Sequence, residues 1–114
     1  MRVQVIWSSV DASTTQTSAS IAIDCGQDMR YLIQLTKTGA DGDPSLYIEE
    51  SLDDVVWTTI PNYEATTEFF PINEDIIAVR DSYFMGKYIR LRSEPNGTTS
   101  GTLSAKIGIK TKSN

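Results

Sequence analysis

The chain has 114 residues, enough for one domain to bury a continuous core without a disulfide or a metal. Hydrophobic residues make up 39% and charged residues 22%, which excludes a disordered chain and is typical of a folded soluble protein. The net charge of −5 argues against nucleic acid as the main partner, and no apolar run approaches the roughly 18 residues of a membrane span. We therefore expect one domain over residues 1–114, with no nucleic-acid and no membrane partner.

Histidine is absent and cysteine occurs once, at Cys25. This composition excludes an intramolecular disulfide, a thiolate metal cluster and the Ser–His or Cys–His pairs of nucleophilic catalysis. Cys25 follows a strand-like segment, so we expect a small buried or half-buried filler. No cofactor and no enzymatic activity are expected.

Strands are predicted almost throughout, because apolar residues recur at every second position. The alternation places Val3, Val5 and Trp7 on one face of the first strand, and Leu103, Ala105, Ile107 and Ile109 on one face of the last. Between them, similar segments predict strands at 19–23, 31–37, 45–49, 55–60, 68–70, 76–79 and 88–92.

Loops separate these segments, and no helical pattern lies between them. The Ser/Thr-rich stretch 8–20 is expected to be a long loop or a mobile arm. Two packed antiparallel sheets follow, so the predicted fold is an all-β, two-sheet sandwich of about eight strands. A jelly roll and an immunoglobulin-like Greek key both satisfy this pattern.

Trp57 lies in a hairpin-like segment, SLYIEESLDDVVWTTIP, whose acidic pair interrupts the alternation. Apolar residues occupy both sides of its strand, and tryptophan is highly buried on average. We expect Trp57 to be the large central residue of the core. A protein interface and a ligand-stacking platform are the alternatives.

Two aspartates, Asp41 and Asp43, are the only candidates for a metal site, as weak calcium ligands. Calcium prefers six to eight oxygen ligands, and the Pro44 that follows departs from the helix-loop-helix calcium pattern. A proline-containing turn explains the same residues.

Charge is unevenly distributed along the chain. Residues 1–79 contain three basic and thirteen acidic residues, a net charge of −10, whereas residues 80–114 contain seven basic and two acidic ones, a net charge of +5. Such a separation can orient one subunit against another, so we expect a homo-oligomer or a subunit that docks on a partner. The interface candidates are a predicted basic face of Arg90, Arg92, Lys106 and Lys110, and an acidic hairpin of Glu49, Glu50, Asp53 and Asp54.

The order YIEESLDDVVWTTIP, GKYIRLRS and GTLSAKIGIKTK resembles the small β-sandwich accessory proteins of tailed-phage virions, over about Tyr47–Lys112. A weaker resemblance is to discoidin-like sandwiches, although the cysteines of those domains are missing. The first resemblance implies a non-enzymatic structural protein of a bacteriophage virion: a capsid decoration, head-fibre or tail-accessory subunit that binds virion proteins. It also implies a trimer. The alternating N-terminus MRVQVIWSSVD predicts a strand and not a signal peptide, so we expect the protein to be made in the host cytoplasm. The alternative is a carbohydrate-binding module that uses an aromatic sheet face, with a glycan as its ligand.

Overall fold

Ten strands make up the described part of the chain, which covers residues 1–24, 28–62, 67–81 and 86–111 of a computed structural model. The strands are β1 (Arg2–Asp11), β2 (Gln16–Thr17), β3 (Ile21–Ala22), β4 (Asp28–Thr38), β5 (Ser45–Ser51), β6 (Thr58–Thr59), β7 (Phe70–Pro71), β8 (Ile76–Asp81), β9 (Tyr88–Glu94) and β10 (Thr102–Thr111).

The strands form two antiparallel sheets. The four-stranded sheet has the order β1-β10-β4-β8. In the six-stranded sheet β9 and β5 lie at the centre, β2 and β3 pair with β9, and β6 and β7 pair with β5. The predicted all-β, two-sheet antiparallel sandwich is confirmed.

The order of the strands is that of a jelly roll. When β2 with β3, and β6 with β7, are each counted as one interrupted edge strand, the sandwich has eight strand positions. The pairs β1–β10, β2/β3–β9, β4–β8 and β5–β6/β7 are those of one long hairpin. The additional pairs β10–β4 and β9–β5 fold this hairpin into two sheets, which is the jelly-roll arrangement. Of the two topologies that the sequence allowed, the chain therefore adopts the jelly roll.

The core lies between the two sheets and is almost entirely aliphatic. Alternate residues of β4, β5, β9 and β10 point inward, as predicted. Burying one such side chain contributes about 1.5–3 kcal/mol. The fully buried members of this core include Ile33, Leu35, Leu46, Ile48, Leu91, Leu103, Ile107 and Ile109.

Strand β1 departs from simple alternation. Its register against β10 shifts between Val5 and Trp7, and again between Trp7 and Val10. An extra residue in one strand reverses the faces that follow it. Trp7 is consequently buried, whereas Val3 and Val5 are 64% and 65% exposed. The prediction that these three residues share one face is therefore wrong.

The Ser/Thr-rich segment 8–20 is more ordered than expected. Residues 8–11 complete β1, and Gln16–Thr17 form β2 at the edge of the six-stranded sheet. Ala12 is buried, and the hydroxyl of buried Ser18 accepts a hydrogen bond from the backbone N–H of Leu91 at 2.9 Å. The expectation of a loop or mobile arm is wrong for residues 8–11 and 16–17.

The predictions for the two short strands at 68–70 and 76–79 have different outcomes. The one at 76–79 is confirmed as part of β8, and the one at 68–70 occurs one to two residues later, as β7. The prediction for Cys25 falls outside the described residues.

Candidate functional site

Residues that pair across the four-stranded sheet form rows, and the rows that point away from the core define its outer face. Cross-strand partners point to the same side of a sheet, so the pairing assigns each side chain to a face. Because Ile33 and Ile107 point into the core, their neighbours along each strand point outward. The outward rows are Val3–Gly108–Leu32–Arg80, Val5–Lys106–Gln34–Ala78, Ser104–Thr36–Ile76 and Lys110–Arg30. We call the surface formed by these residues, together with Met1, the basic-apolar face.

Four exposed cations lie on the basic-apolar face: Arg30, Arg80, Lys106 and Lys110. None of them has an ion-pair partner among the described residues. The four outward rows contain no aspartate or glutamate. This face of an acidic protein is therefore a positively charged surface whose charges are not neutralised by the described part of the chain.

Large apolar side chains lie among these cations. The two valines that the β1 bulge turns outward are joined by Met1 and Ile76, which are 83% and 61% exposed. Together they are four of the seven large exposed apolar residues of the described chain. Isolated exposed apolar residues are ordinary, but a group of them on one flat surface is typical of an interaction site.

A shallow depression of about 470 Å³ crosses this face near its end. Gly108 is part of its lining, and an added Cβ at this position would lie 3.6 Å from Sδ of Met1. Leu32 contributes apolar surface, while Arg30, Arg80 and Lys110 supply positive charge around it. The depression suits an apolar side chain that carries or adjoins an acidic group.

The basic face predicted from the sequence does not form. Lys106 and Lys110 lie on β10 in the four-stranded sheet, whereas Arg90 and Arg92 lie on β9 in the six-stranded sheet. All four point outward, and the outer faces of the two sheets are on opposite sides of the sandwich. The expectation that they form one patch is therefore wrong.

The predicted acidic hairpin is also divided. Glu49 is buried on the outer face of the six-stranded sheet, where its Oε1 lies 2.9 Å from Nε of Arg90 and its Oε2 lies 3.5 Å from Nε of Arg92. Arg92 also pairs with Glu94. These arginines therefore neutralise carboxylates of their own sheet, and the predicted separation between a basic face and an acidic hairpin is lost at this point.

Trp57 lies beside this cluster and not in the core. It is partly exposed, and the guanidinium carbon of Arg90 lies 4.2 Å from the centre of its ring. Arg92 covers Tyr47 in the same way at 4.0 Å, and the rings of Tyr47 and Phe69 are 5.9 Å apart. The prediction of a buried central Trp57 is wrong, because aliphatic residues fill the core and the indole buried there belongs to Trp7.

The remaining acidic candidates lie at or near the turn after β5. Glu50 is partly buried at the end of the strand. Asp53 accepts hydrogen bonds from the backbone N–H groups of Val56 and Val55, both at 2.9 Å, and these bonds lower its pKa. Asp54 follows with a φ of 64°. This turn exposes Leu52, Val55 and Val56, the other three large apolar residues at the surface.

Asp41 and Asp43, the calcium candidates, both have partners within the protein. Oδ1 of Asp41 accepts a hydrogen bond from the backbone N–H of Thr99 at 2.8 Å, and the Thr99 hydroxyl donates to Oδ2. Asp43 pairs with Nζ of Lys37 at 3.1 Å. The Asp41 carboxylate thus ties the loop after β4 to the loop after β9, while Asp43 pairs with a lysine of β4. Among the described residues, no group of three or more carboxylates, cysteines or histidines has the geometry of a metal site.

Comparison with protein family models, curated proteins and solved structures finds no match to this chain. Within the described ranges, no helix is long and apolar enough to cross a membrane. The function must therefore be inferred from the surface of the protein itself.

The sequence identified two of the cations of the basic-apolar face, Lys106 and Lys110, but not the other two. Arg30 and Arg80 lie far from them in sequence and join them only through the order β10-β4-β8. The alternation within each strand predicts that both side chains point outward. The sequence does not predict which strands pair, and it is this pairing that brings the charges together.

Proposed function

We propose that this protein is a non-enzymatic structural subunit of a tailed-phage virion, which binds a capsid or tail protein lattice through its basic-apolar face. The observation that carries the proposal is the combination, on one sheet face, of four cations without an ion-pair partner among the described residues and several exposed apolar residues. A surface of this kind suits a protein partner that offers acidic side chains opposite the cations and apolar side chains opposite the exposed residues of the two edge strands, β1 and β8.

Two further features support the proposal. Jelly rolls are common among viral capsid domains, although this is an analogy at the level of the fold. The sequence also resembles virion accessory proteins over the region that contains β5, β9 and β10.

The physical roles of the two components differ. Apolar residues such as Val3 and Val5 supply most of the affinity when water is removed from them. The cations of the face attract the partner and fix its orientation, an effect that salt screens. Binding should therefore weaken with ionic strength without being abolished.

Reconstitution on virions tests the proposal. Particles of the phage that encodes the chain, assembled without it, are incubated with the purified protein and sedimented. We expect saturable binding of the unmodified protein. The double variant Lys106→Glu/Lys110→Glu should bind at least about tenfold more weakly, because it reverses two charges of the face.

Lys87→Glu provides the matched control, since Lys87 is an exposed cation immediately before β9 of the other sheet. It should bind like the unmodified protein. Absence of binding by the unmodified protein, or equal losses in the control and the double variant, would overturn the proposal.

The second candidate function is a carbohydrate-binding module on the outer face of the six-stranded sheet. The partial exposure of Trp57 favours it, because sugar rings stack on flat apolar surfaces. Arg90 and Arg92 lie over Trp57 and Tyr47, however, and leave less ring surface free for a sugar. Glycan-array binding that is lost in Trp57→Ala and retained in Lys106→Ala would select this alternative.

A further inference from the structure

The four-stranded sheet ends in two different edges. At one edge, β1 carries two register shifts and a left-handed residue, Ser9, with φ of 52°. Such irregularities are a common protection against pairing with another chain. At the other edge, β8 pairs with β4 over six consecutive residue pairs without a register shift.

Of the usual protections, the β8 edge has only two charged residues, Arg80 and Asp81. Its sequence, IIAVRD, contains no proline, glycine or lysine, and no strand lies beyond it in the described part of the chain. The edges of the six-stranded sheet are different, because β2, β3, β6 and β7 have only two residues each. The longest regular open edge of the described sandwich is therefore β8.

The alternation of hydrogen bonds along β8 determines which of its backbone groups point away from the sheet at this edge. The backbone N–H of Lys37 donates to the carbonyl of Asp75 at 2.7 Å, so Asp75 turns its polar groups toward β4. Direction alternates along an antiparallel strand. Asp75, Ile77 and Val79 therefore bond toward β4, while the N–H and C=O groups of Ile76, Ala78 and Arg80 point away from the sheet.

We propose that two copies of the chain pair antiparallel through β8, with Ala78 on the two-fold axis. In this register Ala78 lies opposite Ala78 of the second copy, and Ile76 lies opposite Arg80. Three residue pairs then exchange two N–H···O bonds each, which satisfies every outward-pointing group of Ile76, Ala78 and Arg80.

The side chains of this register are compatible on both faces. On the inner side, half-buried Ile77 lies opposite Val79 of the second copy and extends the core. On the outer side, the small Ala78 pair permits close approach, and Ile76 lies against the aliphatic stem of Arg80. One pairing, which occurs twice by symmetry, is unfavourable, because Asp75 lies opposite Asp81 in sequence register and like charges opposite each other weaken a sheet.

The consequence is a continuous eight-stranded sheet. Its outer surface would join the basic-apolar faces of both copies and double the number of cations presented to a partner. This two-fold dimer differs from the trimer that the resemblance implies, and it does not depend on the proposed function.

Sedimentation velocity over about 1 µM to about 1 mM, the range in which small interfaces associate, tests the proposal. We expect a monomer–dimer equilibrium. Ala78→Lys should raise the dimer dissociation constant at least about tenfold, because two ammonium groups would meet at the axis. Asp75→Asn should lower it several-fold, since one member of the repulsive pair is removed.

Gln34→Lys is the matched control, because Gln34 lies beside Ala78 on the same face, one strand further from the edge. Its dissociation constant should stay within about threefold of the unmodified value. Amide exchange provides an independent readout that does not require a variant. The N–H groups of Ile76, Ala78 and Arg80 should exchange more slowly as the dimer forms, and those of Ile77 and Val79 should not change. A monomer throughout the range, a trimer, or equal effects of Ala78→Lys and Gln34→Lys would overturn the proposal.

Discussion

Nε of Arg90 donates a hydrogen bond of 2.9 Å to Oε1 of Glu49, a buried carboxylate on the outer face of the six-stranded sheet. The same guanidinium lies over the ring of Trp57. Two central strands, β5 and β9, are thus joined by a charged pair as well as by their backbone bonds. On the outer face of the six-stranded sheet, Arg90 and Arg92 are therefore neutralised by Glu49. The four cations without an ion-pair partner among the described residues lie on the basic-apolar face.

The first prediction concerns this pair. Arg90→Met should lower the free energy of unfolding by about 1–3 kcal/mol, because it removes a bond to a desolvated carboxylate. A double-mutant cycle with Glu49→Gln should give a coupling energy of about 1–2 kcal/mol in urea unfolding. Lys106→Met, at an unpaired exposed cation, should change stability by no more than about 0.5 kcal/mol. Additive effects of Arg90→Met and Glu49→Gln on the free energy of unfolding would contradict a direct interaction between the two side chains.

The two tryptophans should differ sharply on truncation. Trp7→Ala should cost about 3–5 kcal/mol, since it opens a cavity in the core. Trp57→Ala should cost only about 1–2 kcal/mol, the loss of a partly exposed ring and its cation–π contact. Equal costs in denaturant unfolding would show that Trp57 is a core residue after all.

The alternation of buried and outward-pointing residues in β10 and β9 was predictable, because both strands are regular and each has one solvent-exposed side. The orientation of Val3 and Val5 was not, because a bulge shifts the register without any signal in the apolar pattern. Trp57 was misassigned for a related reason. Its strand has apolar residues on both sides, and only the pairing of Glu49 with Thr59 shows which side faces outward.

The candidate site depended even more on long-range order. Each cation of the basic-apolar face could be assigned an outward direction, but β4, β8 and β10 are brought together by the jelly-roll topology. Two topologies were compatible with the sequence, and they pair the strands differently. The chemistry of the surface was therefore readable residue by residue, while its arrangement was not.

Asp41 should make stability depend on pH in acid. Hydrogen bonds from the hydroxyl and then the backbone N–H of Thr99 lower the pKa of this carboxyl. Because the folded pKa is below that of the unfolded chain, about 3.9, the stabilisation is complete above this pH and is lost as the pH falls through the folded pKa.

Asp41→Asn should therefore be less stable than the unmodified protein at pH 7 and lose less stability between about pH 5 and pH 2. Thermal unfolding across this range measures both effects. Thr99→Val, which removes the hydroxyl donor, should also flatten the acid dependence. Parallel curves for all three proteins would exclude the proposed role of Asp41.

Two buried serines should respond to alanine substitution with opposite signs. The Ser93 hydroxyl is buried and has no hydrogen-bond partner among the described residues, so Ser93→Ala should raise the free energy of unfolding by about 1 kcal/mol. The Ser18 hydroxyl accepts the bond from Leu91, so Ser18→Ala should lower it by about the same amount. Chemical denaturation distinguishes the two, and a loss of stability in Ser93→Ala would contradict the account of this site.

The central claim is that the basic-apolar face is the docking surface of a virion subunit. If the chain is a phage protein, as proposed, electron cryomicroscopy of the particles of that phage tests it most directly. The account predicts ordered copies of the jelly roll on the capsid or tail, with the outer side of β1, β10, β4 and β8 against the lattice. It also predicts that Arg30, Arg80, Lys106 and Lys110 lie near acidic side chains of the lattice protein. Particles that lack the protein, or copies seated through the outer face of the six-stranded sheet, would contradict it.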